Sequence, residues 1–154
     1  MEKLIFDTGI KEYKINGTGV LRFNPSDPNV YARFLDAMDK IRAVEEKLVS
    51  RARELENAEN QQESGAAALR LMAEADRETK DILAQVFGMG NDFDKILGGV
   101  NLLAVAGNGE RVITNLLSAL QPIMVEGAEN CAKQQVDGAV AQAKQNRAQR
   151  RAQK

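Results

Sequence analysis

Residues 26–62 decide the fold and read SDPNVYARFLDAMDKIRAVEEKLVSRARELENAENQQ. Asp27 can accept hydrogen bonds from the first free N–H groups of a helix, and Pro28 suits the first helical position because it has no N–H and a fixed φ. Apolar side chains then recur every three or four positions, which predicts one long amphipathic helix. Its apolar seam consists of Tyr31, Phe34, Met38, Ile41, Leu48, Ala52 and Leu55.

An apolar seam of this length needs a surface that covers it. The cover is either another helix of the same chain or a second protein, and spacing alone favours neither. The seam is longer than the next helix of the chain needs for packing. Cover by that helix and cover by a second protein therefore both remain possible.

The chain before this helix has a different pattern. Short apolar runs are separated by Asn16-Gly17, and Asn-Gly between such runs predicts a β-hairpin because both turn positions need a positive φ. We expect strands over residues 12–16 and 20–23, with residues 3–6 as a candidate third strand. Two strands alone are marginally stable, so one face should pack on the helices or on another subunit.

A second amphipathic helix is expected over residues 66–87, after a break at Ser64-Gly65, and it should form an antiparallel hairpin with the first helix. Glycines then interrupt the pattern. Asn91 can cap a short third helix, and Gly98-Gly99 ends it.

A fourth helix is expected over residues 110–120, with Pro122 ending it and a last helix starting at residue 123. The predicted fold is therefore mostly α with a small N-terminal β-hairpin, an α+β arrangement. It divides into a hairpin packed on the helical part (1–25), a helical domain (26–140) and a basic, poorly anchored tail (141–154).

The composition limits the chemistry that the chain can perform. Its 154 residues include no histidine and one cysteine, Cys131, which excludes His/Cys metal sites, Cys-His nucleophiles and intramolecular disulfides. We expect no enzyme activity and no cofactor, with Cys131 as a bystander. The net charge of −1 gives no overall attraction to nucleic acid or membrane. The first residues lack the apolar run of a signal peptide, and this predicts a cytoplasmic protein.

Three features could carry chemistry, and each has a simpler interpretation. Asp92 and Asp94 lack the further ligands of a calcium loop, so we assign them to helix capping and first-turn charge. The glycine turns at 88–90 and 107–109 lack the Gly-Lys-Ser/Thr or third glycine of a phosphate loop. The basic end of the chain has no interleaved aromatic residues and is interpreted as a solvated or frayed helix end.

Three segments resemble the phage and prophage tail assembly chaperones of Firmicutes siphovirus-like elements. These segments are FDTGIKEYKING (6–17), VLRFNPSDPNVYARFLDAMDKI (20–41) and VFGMGNDFDKILGGVNLLAVAGNGERVITNLLSALQPIM (86–124). Together they cover 73 of the 154 residues. Met89, Asn91-Asp92 and the Gln/Arg/Ala-rich tail depart from the family pattern, which affects the turn and the end of the chain.

The resemblance implies a protein of the host cytoplasm that binds the tape measure protein and keeps it soluble before the tail tube polymerises. The tail tube protein and a second copy of the chain are further candidate partners, whereas nucleic acid and membrane are not expected. The implied mechanism is reversible burial of apolar helical surface, without a bond made or broken. We expect client contact at Tyr31, Phe34, Leu35, Met38, Ile41, Phe87 and Phe93.

Two other functions compete with this hypothesis. A structural subunit that stays in the virion would use the exposed edge of the hairpin to join a neighbouring sheet. A nucleic-acid-binding regulator would act through the basic end of the chain and would bind in a salt-sensitive way.

Overall fold

The computed structural model describes residues 1–57 and 59–153. This part of the chain is mostly α-helical with a small N-terminal β-hairpin, as predicted. In chain order the elements are β1 (Lys11–Ile15), β2 (Gly19–Phe23), α1 (Pro28–Glu56), α2 (Gln61–Phe87), α3 (Phe93–Ile96) and α4 (Val112–Ala152).

The β-hairpin forms where Asn16-Gly17 predicted it. Strands β1 and β2 pair antiparallel, and Asn16 and Gly17 adopt φ values of +46° and +83° in the turn. The predicted third strand at residues 3–6 is wrong. Residues 1–10 are exposed and form no strand, because their apolar side chains meet neither a strand edge nor an apolar surface of the described chain.

Helix α1 starts as predicted, with the Asp27 carboxylate accepting a hydrogen bond from the Asn29 N–H. It ends at Glu56 rather than near residue 62, and Ala58, inside the predicted helix, lies outside the described residues. The predicted break at Ser64-Gly65 is also wrong. The Asn60 side chain accepts hydrogen bonds at the start of α2, so the helix begins earlier and runs through Gly65 at a cost of about 1 kcal/mol.

Helix α1 buries two adjacent stripes of its surface. Ala37 and Val44 lie beside α2, where the small Ala37 side chain allows the two helices to approach each other. Phe34 and Ile41 line the space between α1 and α4, and Phe34 also contacts Phe87 at the end of α2. The chain covers the predicted seam only in part, since Phe34 and Ile41 are buried and the other five seam residues are half-buried.

Two further predictions, both for the chain after α2, are wrong. Asp92, not Asn91, caps α3, because its carboxylate accepts a hydrogen bond from the Lys95 N–H. Helix α4 is continuous over Val112–Ala152, so Pro122 does not end it. Positions 140 and 141, between which we placed the start of the tail, both lie in this helix. Pro122 is exposed, while Leu120 and Met124 on either side are buried and hold the helix on the core.

Besides side-chain packing, three close backbone contacts join β2 and the segment after it to the rest of the fold. A Cβ at Gly19 would collide with the Ile96 carbonyl at the end of α3, and one at Gly127 of α4 would collide with the Pro25 carbonyl. Between them, Asn91 hydrogen-bonds the backbone of Arg22. Beyond Cys131 every described residue of α4 is exposed, so roughly 30 Å of this helix extends past the core.

Two glycines of α4 provide a matched test of this packing. Gly127→Ala should lower the free energy of unfolding by about 1–3 kcal/mol, because its methyl group has no room against Pro25. Gly138→Ala, with nothing within 4 Å of its added Cβ, should raise it by about 0.5–1 kcal/mol. Denaturant unfolding followed by circular dichroism measures both. Equal stabilisation by the two substitutions would contradict the contact.

Candidate partner-binding groove

An open groove of about 450 Å³ lies between α1 and α4. Its floor is apolar, since α1 contributes residues at positions i, i+4 and i+7, and α4 contributes two residues one turn apart. The floor consists of Phe34, Met38, Ile41, Ile113 and Leu117. The rim is polar and consists of Arg42, Glu45, Thr114, Ser118 and Gln121.

The seven predicted contact residues divide into three groups. Phe34, Ile41, Phe87 and Phe93 are buried, Tyr31 and Met38 are half-buried, and Leu35 is exposed. Only Phe34, Met38 and Ile41 of these residues line the groove. Ile113 and Leu117 were not among the predicted contact residues. Their spacing of one helical turn indicates an apolar stripe but does not reveal that the stripe faces α1 across an open space.

Phe87 and Phe93 belong to an aromatic cluster inside the protein. The Phe87 ring centroid lies 4.8 Å from that of Phe23, 5.9 Å from Phe93 and 6.4 Å from Phe34. Phe87 and Phe93 are 5% and 2% exposed, so a partner could touch them only after the core had opened. The groove, in contrast, is accessible while the core stays closed.

A cationic side chain lies near one end of the groove. Arg111 joins Arg42 and Glu45 in lining an adjacent open cavity of about 560 Å³. Its Nη1 atom is buried, and no hydrogen-bond partner for it exists among the described residues. A buried N–H without an acceptor is unfavourable, and a partner can reach this atom only if the Arg111 side chain turns toward the cavity. No pattern in the sequence indicates that Arg111 lies beside the groove.

The charged cluster around Lys80 holds separate parts of the fold together. The buried Lys80 Nζ lies 2.7 Å from Asp76 Oδ2 and 2.7 Å from Asp94 Oδ1, and Asp76 Oδ1 accepts a hydrogen bond from the Leu102 N–H. Burial acts to lower the pKa of Lys80, but its two carboxylate partners outweigh burial and the net pKa is raised. The hydrogen bond from Lys80 lowers the pKa of Asp94.

The loop residues considered for ion or phosphate binding have structural contacts of their own. Asp92 caps α3 and Asp94 pairs with Lys80. Gly88 follows the last residue of α2, and the turn at 107–109 is closed by a hydrogen bond from the Gly109 N–H to the Ala106 carbonyl. Within residues 1–57 and 59–153, no group of three or more acidic or cysteine side chains is placed to hold a metal ion.

Comparison of the chain with models of known protein families, with curated proteins and with solved structures finds no match. Among the helices described for this chain, none combines the length and apolar character that crossing a membrane requires.

The Lys80 cluster predicts a specific pH dependence. Because the pKa of Asp94 is lowered on folding, its ion pair stabilises the protein above the carboxyl's ordinary pKa of about 4, and this contribution disappears as the pH falls through the lowered value. Asp94→Asn should therefore be less stable than the wild type at neutral pH, with the difference vanishing in acid.

The urea concentration at the midpoint of unfolding, measured for wild type and Asp94→Asn from neutral pH into acid, gives the stability difference. The control is Asp81→Asn, at an exposed position of α2, which should show a much smaller difference at neutral pH. A deficit of Asp94→Asn that stayed constant from neutral pH into acid would show that Lys80 does not stabilise the Asp94 carboxylate.

Proposed function

We propose that this protein is a phage tail assembly chaperone that binds the tape measure protein and keeps it soluble before the tail tube polymerises around it. The observation that carries the proposal is the open α1/α4 groove, with its apolar floor and polar rim. It is supported by the resemblance of residues 6–17, 20–41 and 86–124 to such chaperones.

The groove is suited to an amphipathic helix. A helical client presents apolar side chains at i, i+3, i+4 and i+7 along one face, and two facing helices with an apolar floor receive such a face. Met38 and Leu117 are half-buried and provide apolar surface on opposite sides of the groove. An acidic side chain of the client that entered the adjacent cavity would meet the positive charges of Arg42 and Arg111.

This mode of binding permits release of the client. A groove that exists with the core closed needs no unfolding before association, and its small apolar area limits the affinity of one copy. Several copies along one long client would together cover its apolar face. Tube subunits that bind the same face could then displace the copies one at a time.

A structural subunit of the tail is the second candidate. Two observations favour it: the apolar side chains of Leu4, Ile5 and Phe6 are 88%, 88% and 71% exposed, and β1 is an edge strand. Both features could join neighbouring subunits in an assembled particle. Mass spectrometry of purified particles separates the functions, because a chaperone is absent from the finished tail and a structural subunit is present.

The direct experiment is co-expression with the tape measure protein of the same phage or prophage, followed by pull-down. Ser118→Trp should fill the groove from its exposed rim, and Met38→Asp should place a charge on its floor. Each should reduce the retained client about tenfold or more, as the loss of a central contact does. Circular dichroism first establishes that each variant is folded.

Two controls assign the result to the groove. Leu69→Asp changes a side chain of α2 that is 71% exposed and outside the groove, so client binding should be unchanged. Leu35→Asp tests the exposed residue of the predicted set. Loss of binding with Leu35→Asp but not with Ser118→Trp would move the client surface to the other side of α1, and retention of no client by the wild type would contradict the chaperone function.

A further inference from the structure

The two edges of the hairpin differ in whether the rest of the chain covers them. On the outer edge of β2, the Arg22 N–H donates to Asn91 Oδ1 at 2.9 Å, and Asn91 Nδ2 donates to the Arg22 carbonyl at 2.8 Å. The Asn91 amide thus takes the place of a neighbouring strand. Strand β1 forms the other edge of this two-stranded sheet.

The pairing of the strands determines which backbone N–H and C=O groups of β1 point away from β2. Glu12 lies opposite Arg22, and in an antiparallel pair two opposed residues point their backbone groups either toward each other or both outward. The backbone N–H and C=O of Arg22 point outward, to Asn91. The backbone N–H and C=O of Glu12 therefore also point outward, and so do those of Lys14 two positions later. No turn, loop or cap hydrogen bond of the described backbone reaches either residue.

The side chains on this edge carry alternating charge. Glu12 and Lys14 are both exposed and lie on the same face of the strand, with Tyr13 half-buried between them on the opposite face. Arg22 Nη2 lies 2.9 Å from Glu12 Oε1 on that outer face. The edge therefore presents one acid and one base, each beside an unused pair of backbone hydrogen-bonding groups.

We propose that β1 is a self-association edge, at which two copies of the chain pair antiparallel about a two-fold axis at Tyr13. Glu12 of each copy then lies opposite Lys14 of the other, and these pairs exchange both backbone hydrogen bonds through the groups that point outward. The result is a continuous sheet with the strand order β2-β1-β1-β2. The same surface patch serves both copies, as a two-fold interface requires.

The charge pattern also selects this register. A different register of the two β1 strands can still pair the outward-pointing backbone groups only if one strand shifts by two residues. A slip in one direction places Glu12 opposite Glu12, and a slip in the other direction places Lys14 opposite Lys14. Like charges directly opposite each other are destabilising, so the Tyr13-centred register is favoured over both neighbours.

Sedimentation velocity over a wide concentration range tests the proposal, which does not depend on the proposed function. The wild type should dimerise. Lys14→Glu places two pairs of like charges at the interface and should raise the dimer dissociation constant about tenfold or more. Lys133→Glu, the same charge change at an exposed position of α4, should leave the constant unchanged.

A charge exchange makes the test specific for the register. Glu12→Lys alone should also weaken self-association, whereas an equimolar mixture of the Glu12→Lys and Lys14→Glu variants should form a heterodimer in which both cross-pairs are again opposite in charge. Lys14→Pro removes an outward N–H that β2 does not use and should abolish the dimer. Circular dichroism establishes that each variant keeps the fold.

Two results would overturn the proposal. The first is a wild type that stays monomeric at every concentration. The second is a dimer that Lys14→Glu and Lys14→Pro leave intact. If that dimer is lost when residues 1–9 are deleted, the exposed apolar segment rather than the β1 edge holds the copies together.

Discussion

The packing of the Phe87 ring against Phe23, Phe93 and Phe34 is the interaction on which the rest of the structure depends. Phe87 is the last residue of α2, and its three partners come from β2, α3 and α1. One buried ring therefore joins the hairpin to three helices, and truncation of such a ring to alanine costs about 3–5 kcal/mol. This closure takes Phe87 and Phe93 out of reach of any partner that binds the folded protein.

The groove is a consequence of how α1 divides its apolar surface. The stripe with Ala37 and Val44 is covered by α2, whereas the stripe with Phe34, Met38 and Ile41 faces α4 across an open space. A helix that packed closely on both sides would leave no apolar surface for a client. The incomplete contact between α1 and α4 thus links the fold to the proposed chaperone function.

Features set by neighbouring residues were predictable from the sequence. Asp27-Pro28 marked the start of α1, and Asn16-Gly17 marked the hairpin turn. Features set by distant contacts were not predictable. Pro122 predicted a helix end, but buried neighbours keep α4 continuous, and Asn91 was expected to cap a helix but instead bonds to a strand 69 positions away. The predicted contact set had the same weakness, because helical spacing identifies an apolar face and does not reveal whether another element covers it.

Hydrogen exchange of the protein alone and in complex with the tape measure protein tests most directly whether the client binds a closed core. If the client binds the closed protein, exchange should become slower in the α1 and α4 segments that line the groove, around Met38 and Leu117. Exchange around Phe87 and Phe93 should be unchanged. Faster exchange at the end of α2 and in α3 on client binding would contradict binding to a closed core, because it would show that the aromatic cluster opens to receive the client.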